Sequence, residues 1–185
     1  MRLFIALKLS EEQQHEVGVM QSRLKKCLKG VKWVRPGNMH LTLRFLGETD
    51  SKAVTLIMEA LDKASTSLDP FQFAFGGTGV FPHPGKPRVL WIGMQKGQQE
   101  VVKVSEIVGL HLSEMGFAKE NREFHPHLTL GRLRGPIKKE MLKLYLEDEQ
   151  SFTTTLSEVT DIILYQSILD RNGARYIEKF KSKLK

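Results

Sequence analysis

The chain has 185 residues, of which 41% are hydrophobic and 26% charged, a balance that fits a globular protein with its own core. Its 28 Lys and Arg against 21 Asp and Glu leave a net charge of +7, which suits phosphate-bearing partners better than acidic proteins or cationic ligands. The single cysteine, Cys27, excludes an intrachain disulfide and a cysteine-based zinc site and points to a reducing cytoplasm; no apolar run is long enough to cross a bilayer, so neither export nor membrane insertion is expected.

The apolar run over residues 2–8 reads as a strand that stops at Ser10, and Ser10 with Glu11 and Glu12 reads as the capped start of a helix over about 10–28. His15 falls on that helix as a solvated surface residue. Gly30 ends the helix, Val31 to Val34 forms a short strand, and Arg35-Pro36-Gly37-Asn38 turns the chain into a strand over about 39–47. Asp50-Ser51 is expected to cap a helix over about 51–67, with Val54, Ile57, Met58 and Leu61 on its apolar stripe. Phe71, Phe73 and Phe75 alternate with smaller or polar residues in the manner of a strand, and Gly76-Gly77-Thr78-Gly79 reads as a bend or bulge. Those glycines lack the spacing and the following Lys-Ser/Thr of a phosphate loop.

The proline-rich segment Phe81 to Pro87 is expected to be a surface loop before a strand over 88–93. Lys86 and Arg88 are either phosphate contacts or solvated loop residues. An amphipathic helix follows over 98–115, with His111 on its surface and Gly116 closing it, and Phe124-His125-Pro126 leads into a strand over about 127–134. A short helix over 137–148 precedes two strand-like runs, Val159 to Leu169 and Ala174 to Phe180. Asp170-Arg171-Asn172-Gly173 between them carries the Asn-Gly signal of a hairpin. The tail from Lys179 to Lys185 is expected to be frayed and solvated.

One tetrapeptide occurs twice. His40-Leu41-Thr42-Leu43 returns as His127-Leu128-Thr129-Leu130, 87 residues later and so close to half the chain, which suggests a duplication. In a strand His40 and Thr42 share one face while Leu41 and Leu43 take the other, and the second copy repeats this. One copy alone would be an ordinary half-buried strand. Two copies turned toward each other would place two imidazoles and two hydroxyls around a small polar ligand, one imidazole able to donate a proton and the other to accept one. The expected fold is α+β: one compact, two-lobed domain spanning residues 1–185, with no linker or low-complexity segment.

The ordered set of segments resembles the two-histidine phosphoesterases, and within them the RNA 2′,3′-cyclic phosphodiesterase family, also labelled 2′-5′ RNA ligase. The resemblance runs from Arg2-Leu3-Phe4-Ile5-Ala6 through Trp33-Val34-Arg35-Pro36 and His40 to Glu48. It continues in Gly79-Val80-Phe81-Pro82, in Pro87 to Gly93, and in Phe124 to Arg132. It implies two pseudosymmetric lobes, each an antiparallel sheet with helices on its outer face, and a cleft between the sheets where the motifs meet. It further implies that His40 is the proton donor and His127 the proton acceptor in hydrolysis of a 2′,3′-cyclic phosphate to a 2′-phosphomonoester, with no metal or other cofactor. Thr42 and Thr129 can then donate hydrogen bonds to the nonbridging oxygens.

The family also places binding residues five positions past each histidine, here Phe45 and Arg132. Arg132 is expected to contact the phosphate and Phe45 to stack on or pack beside a base. In a regular strand an offset of five points away from the histidine, so either a bulge or a strong twist near Gly131 redirects Arg132 or Arg44, at offset four, faces the cleft instead. A metal site built from His125 and His127 with His83 or Glu123 is the lesser reading, since no second ligand pair follows at a recognisable spacing. The expected partners are RNA ends or cyclic nucleotides, with no membrane and a monomeric state. A non-catalytic module that binds RNA termini or nucleotides, and 2′-5′ RNA end joining as the reverse of hydrolysis, are the alternatives.

Overall fold

The computed structural model describes residues 1–170 and 173–185. In chain order the elements are β1 (Arg2–Lys8), α1 (Glu11–Cys27), β2 (Val31–Trp33), a 3-10 turn (Pro36–Asn38), β3 (His40–Glu48), α2 (Ala53–Ser65), β4 (Phe71–Phe81), β5 (Val89–Lys96), α3 (Gln98–Glu114), β6 (Leu128–Leu133), α4 (Lys139–Asp148), β7 (Ser157–Val159), β8 (Asp161–Asp170) and β9 (Gly173–Lys183). The strands form two antiparallel sheets, ordered β3-β1-β8-β9 and β2-β6-β5-β4-β7. The fold is thus α+β with one histidine motif in each sheet, as the pattern of elements suggests.

The lobes are not the two halves of the chain. The first sheet takes β8 and β9 from the end of the chain and carries α2 and α3, while the second takes β2 from near the start and carries α1 and α4. Five consecutive residues of β1, Leu3 to Leu7, are buried because this strand lies inside its sheet with side chains packed on both faces. Leu3, Ile5 and Leu7 join the main core with Leu41, Leu43, Ile57 and Leu61, and Phe4 and Ala6 pack on the other face with Ile163 and Tyr165.

α1 starts where the sequence places it. Ser10 Oγ accepts from the Gln13 amide at 3.1 Å, and the Gln13 side chain accepts in return from the Ser10 amide, closing a capping box. Gln13 also donates to the carbonyls of Phe73 and Thr155, so the capping residue joins α1 to the second sheet. Gln21, fully buried about two turns further along the same helix, donates to the carbonyls of Val34 and Leu130 at 2.9 Å each, satisfying backbone acceptors at the second motif.

The bulge expected at the glycines is present, with register shifts between Ala74 and Phe75 and between Gly76 and Thr78. Several other expectations change, the first being that β4 runs on through the glycines to Phe81, a residue expected in the loop. Ordinary pairing is kept because the glycines admit what a side chain would block: a methyl group at Gly79 would sit 2.1 Å from the Trp91 ring. Asp50 does not cap α2; its Oδ1 accepts from the Lys52 amide in a turn that delays the helix to Ala53. The run from Val159 is broken at Thr160 into β7 and β8, which belong to different sheets.

The tail is not frayed. β9 extends to Lys183, Ser182 and Leu184 are buried, and the amides of Leu184 and Lys185 donate to the carbonyls of Thr160 and Leu68. Ser182 Oγ donates to Asp62 Oδ1 and meets Ser65 Oγ at 2.7 Å, locking the strand to α2. The β8–β9 hairpin is present, paired through Asp170 and Gly173, while Arg171 and Asn172 of the expected turn lie outside the described residues.

Candidate active site

Both motif strands contain the same irregularity. In the first sheet Ala6 pairs with Thr42 but Ile5 pairs with Arg44, so Leu43 is an extra residue and the next partner of Phe4 is Phe45. In the second, Trp91 pairs with Thr129 but Leu90 pairs with Gly131, so Leu130 is extra and Val89 pairs with Arg132. A bulge reverses the side-chain alternation beyond it. Phe45 therefore shares a face with His40 and Thr42, and Arg132 shares one with Thr129, which removes the difficulty posed by the offset of five. Gly131 is the residue that the second bulge brings over Val31 and Trp33, where a methyl group would lie 2.6 Å from Val31 Cγ1.

The same geometry turns Arg44 away. Opposite Ile5 it lies on the core side of β3, where its Nη2 donates to the Ala118 carbonyl and its Nη1 pairs with Glu120 at 3.5 Å. The reading in which Arg44 faces the cleft is thereby corrected: it secures the segment that leaves α3 for the second motif. Phe45 is 66% exposed, with its ring centroid 6.2 Å from that of Phe4.

His40 and His127 are held in the same way. Each Nδ1 donates to the carbonyl two residues upstream, His40 to Asn38 at 2.9 Å and His127 to His125 at 2.7 Å. A carbonyl only accepts, so in the neutral ring Nδ1 carries the hydrogen and Nε2 is left with its lone pair. The His40 ring packs on Phe4 at 4.5 Å between centroids and meets Tyr176 edge-on at 5.0 Å, with Tyr165 at 6.1 Å. His127 meets Phe81 edge-on at 4.9 Å and has Trp91 at 6.2 Å. The aromatic rings are the residues that the sequence pattern alone did not assign to the site. Their signal was available for Phe81, at the end of β4, and Trp91, within β5 opposite Thr129, since both lie in segments that carry the resemblance, but Tyr165 and Tyr176 lie on β8 and β9, far along the chain.

Burial pushes the His40 imidazole down to about 4, with its hydrogen bond to Asn38 opposing the shift. His127 is also lowered, by burial first, and the charges of Arg132 and His125 lower it further against the lift from the His125 carbonyl. Arg132 acts in addition on Tyr176, whose phenol is raised by burial and drawn back by Arg132 and Arg2. One guanidinium of the second sheet is therefore felt both by its own motif histidine and by the tyrosine that packs on the other. β3 and β6 also pass within 8 Å of each other, Cα to Cα, so the two motif strands adjoin where the sheets meet.

Lys86 and Arg88 are exposed on the loop before β5. His125 pairs with Glu123 at 3.7 Å, both largely exposed, and no group of three or more His, Cys, Asp or Glu among the described residues is placed to hold a metal ion. No helix among the described residues is long and apolar enough to cross a membrane.

Two antiparallel sheets, each presenting a His-x-Thr-x strand to a shared cleft, define the two-histidine phosphoesterase class. The chain belongs to the family described as LigT like Phosphoesterase, which matches it twice in succession, over residues 7–91 and 92–176, one motif to each match. Its relatives include an RNA 2′,3′-cyclic phosphodiesterase of Archaeoglobus fulgidus, 36% identical over 178 residues and covering 95% of this chain and 96% of the relative. Another of the same description from Methanocaldococcus jannaschii is 35% identical over 176 residues, with 95% and 96% covered. Among solved structures, a protein of Thermus thermophilus superposes with a TM-score of 0.83 at 25% identity, covering 100% of this chain and 98% of that one. E. coli LigT complexed with 3′-AMP gives 0.78 at 23% identity, with 99% and 97% covered, and shares the fold.

Proposed function

We propose that this protein hydrolyses 2′,3′-cyclic phosphates on RNA ends or nucleotides to 2′-phosphomonoesters by metal-independent acid–base catalysis between His40 and His127. The observation that carries this reading is the matched anchoring of the two imidazoles, which leaves Nε2 free on both. Hydrolysis requires a water to lose a proton as it attacks phosphorus and the ribose oxygen to gain one as it leaves on the far side. His127 Nε2 accepts the proton of the water, and the nearby Arg132 charge favours the neutral base. His40 Nε2 delivers a proton to O3′, so the phosphate stays on O2′.

His40 is neutral near pH 7 without a ligand, and the anionic phosphate supplies the charge that raises it into the protonated form. Thr42 and Thr129 donate to the nonbridging oxygens, Arg132 neutralises the phosphate, and Phe45 packs against the terminal base. The relatives described as RNA 2′,3′-cyclic phosphodiesterases support this choice of substrate. The test is product analysis of an oligonucleotide ending in a 2′,3′-cyclic phosphate, incubated in chelator. A 2′-phosphate end is expected; a 3′-phosphate end reverses the two histidine roles, and saturable binding without turnover favours a binding module.

A further inference from the structure

Four residues stand in register across the second sheet: Phe81 on β4, Val89 on β5, Arg132 on β6 and Lys32 on β2. Directly opposed residues of an antiparallel pair project to the same face. Phe81 packs against the His127 ring, so the row lies on the cleft face and Lys32 shares that face with Arg132. Both are exposed, and among the described residues neither forms a salt bridge. Like charges placed directly opposite each other repel, and here no carboxylate offsets the cost. An anion bound above the pair would relieve this repulsion.

β2 is the outermost strand of its sheet, so Lys32 stands one strand beyond Arg132, at the margin of the cleft. A lone 2′,3′-cyclic nucleotide brings one phosphate to the site, and Arg132 with the two threonines already serves it. Neighbouring strands lie about 4.8 Å apart, and the flexible four-carbon stem of a lysine extends its reach to an anion further out. We propose that Lys32 binds the phosphodiester on the 5′ side of the terminal nucleotide, which makes the preferred substrate an RNA end rather than a cyclic mononucleotide. This rests on the reading above, in which Arg132 holds the reacting phosphate.

The test compares a dinucleotide ending in a 2′-phosphate with the nucleoside 2′-monophosphate, as ligands of the native protein and of Lys32→Gln and Lys32→Arg. The native protein is expected to bind the dinucleotide the more tightly, Lys32→Gln to lose roughly fivefold or more of that preference, and Lys32→Arg to restore it. The salt dependence of dinucleotide binding should weaken in Lys32→Gln by about 0.7 in the slope of log K against log salt, the share of one phosphate contact on a single strand. An unchanged preference and slope in Lys32→Gln, or no preference in the native protein, overturns the proposal. Binding is read without turnover, so a failure of hydrolysis, measured separately on 2′,3′-cyclic substrates, counts against the catalytic reading alone.

Discussion

Tyr176 meets His40 edge-on, ring centroids 5.0 Å apart and planes at 89°, although β9 and β3 are the two outer strands of their sheet. The contact is made over the intervening cleft-face rings Phe4 and Tyr165, which stack at 5.2 Å. Together these rings hold water away from the imidazole, and burial is the main cause of its lowered pKa. Tyr176→Ala should admit water and raise His40 from about 4 toward its ordinary 6.5, read by NMR titration of the ring carbons. An unmoved titration would show that Phe4 and Tyr165 suffice.

The same shift has a consequence for stability. Between about 6.5 and about 4 the unfolded chain binds a proton at His40 that the folded protein does not, so stability rises with pH through this window and is lost as pH falls through it. The full effect is roughly 3–4 kcal/mol, at about 1.4 kcal/mol per unit. Urea unfolding of His40→Leu across this range should show a shallower pH slope than the native protein. An identical slope would mean that the lowered pKa lies elsewhere.

The pH dependence of catalysis should separate free from bound enzyme. Both histidines are lowered in the free protein, and turnover needs one protonated and one neutral. The profile of kcat/KM should therefore have its optimum below the ordinary imidazole pKa. The bound phosphate raises the proton donor, so the optimum of kcat should lie at higher pH. Coincident optima would remove the phosphate's part in charging His40.

Gly131→Val is expected to destabilise the protein by about 1–3 kcal/mol in urea unfolding, because even a methyl group at this bulge meets Val31 at 2.6 Å and Trp33 at 3.3 Å. Since Arg132 is aimed by that bulge, the variant should also raise KM. Native stability in Gly131→Val would show that β2 yields without cost.

Much of the architecture is legible in local chemistry. Ser10 with Gln13 starts α1 where a cap is expected, and the repeated His-Leu-Thr-Leu alternates core and cleft as strand geometry requires. What local pattern hides is pairing between distant segments. Nothing within Val159 to Lys183 says that β7 joins one sheet and β8 and β9 the other. The final strand reads as a solvated tail because its lysines alternate with the few residues it buries, and Leu184 is covered only once the tail lies beside Thr160 and Leu68. The bulge at Leu43 is silent in sequence, since leucine suits either side of the irregularity, whereas Gly131 marks the one at Leu130; together they decide that Phe45 and Arg132 face the cleft and that Arg44 does not.

The most direct measurement is single-turnover hydrolysis of an oligonucleotide ending in a 2′,3′-cyclic phosphate, in chelator, by the native protein and by His40→Ala and His127→Ala. Each substitution should slow the chemical step by about 10²–10⁴-fold while circular dichroism shows the fold retained. Native rates in either folded variant would contradict catalysis by this pair of histidines.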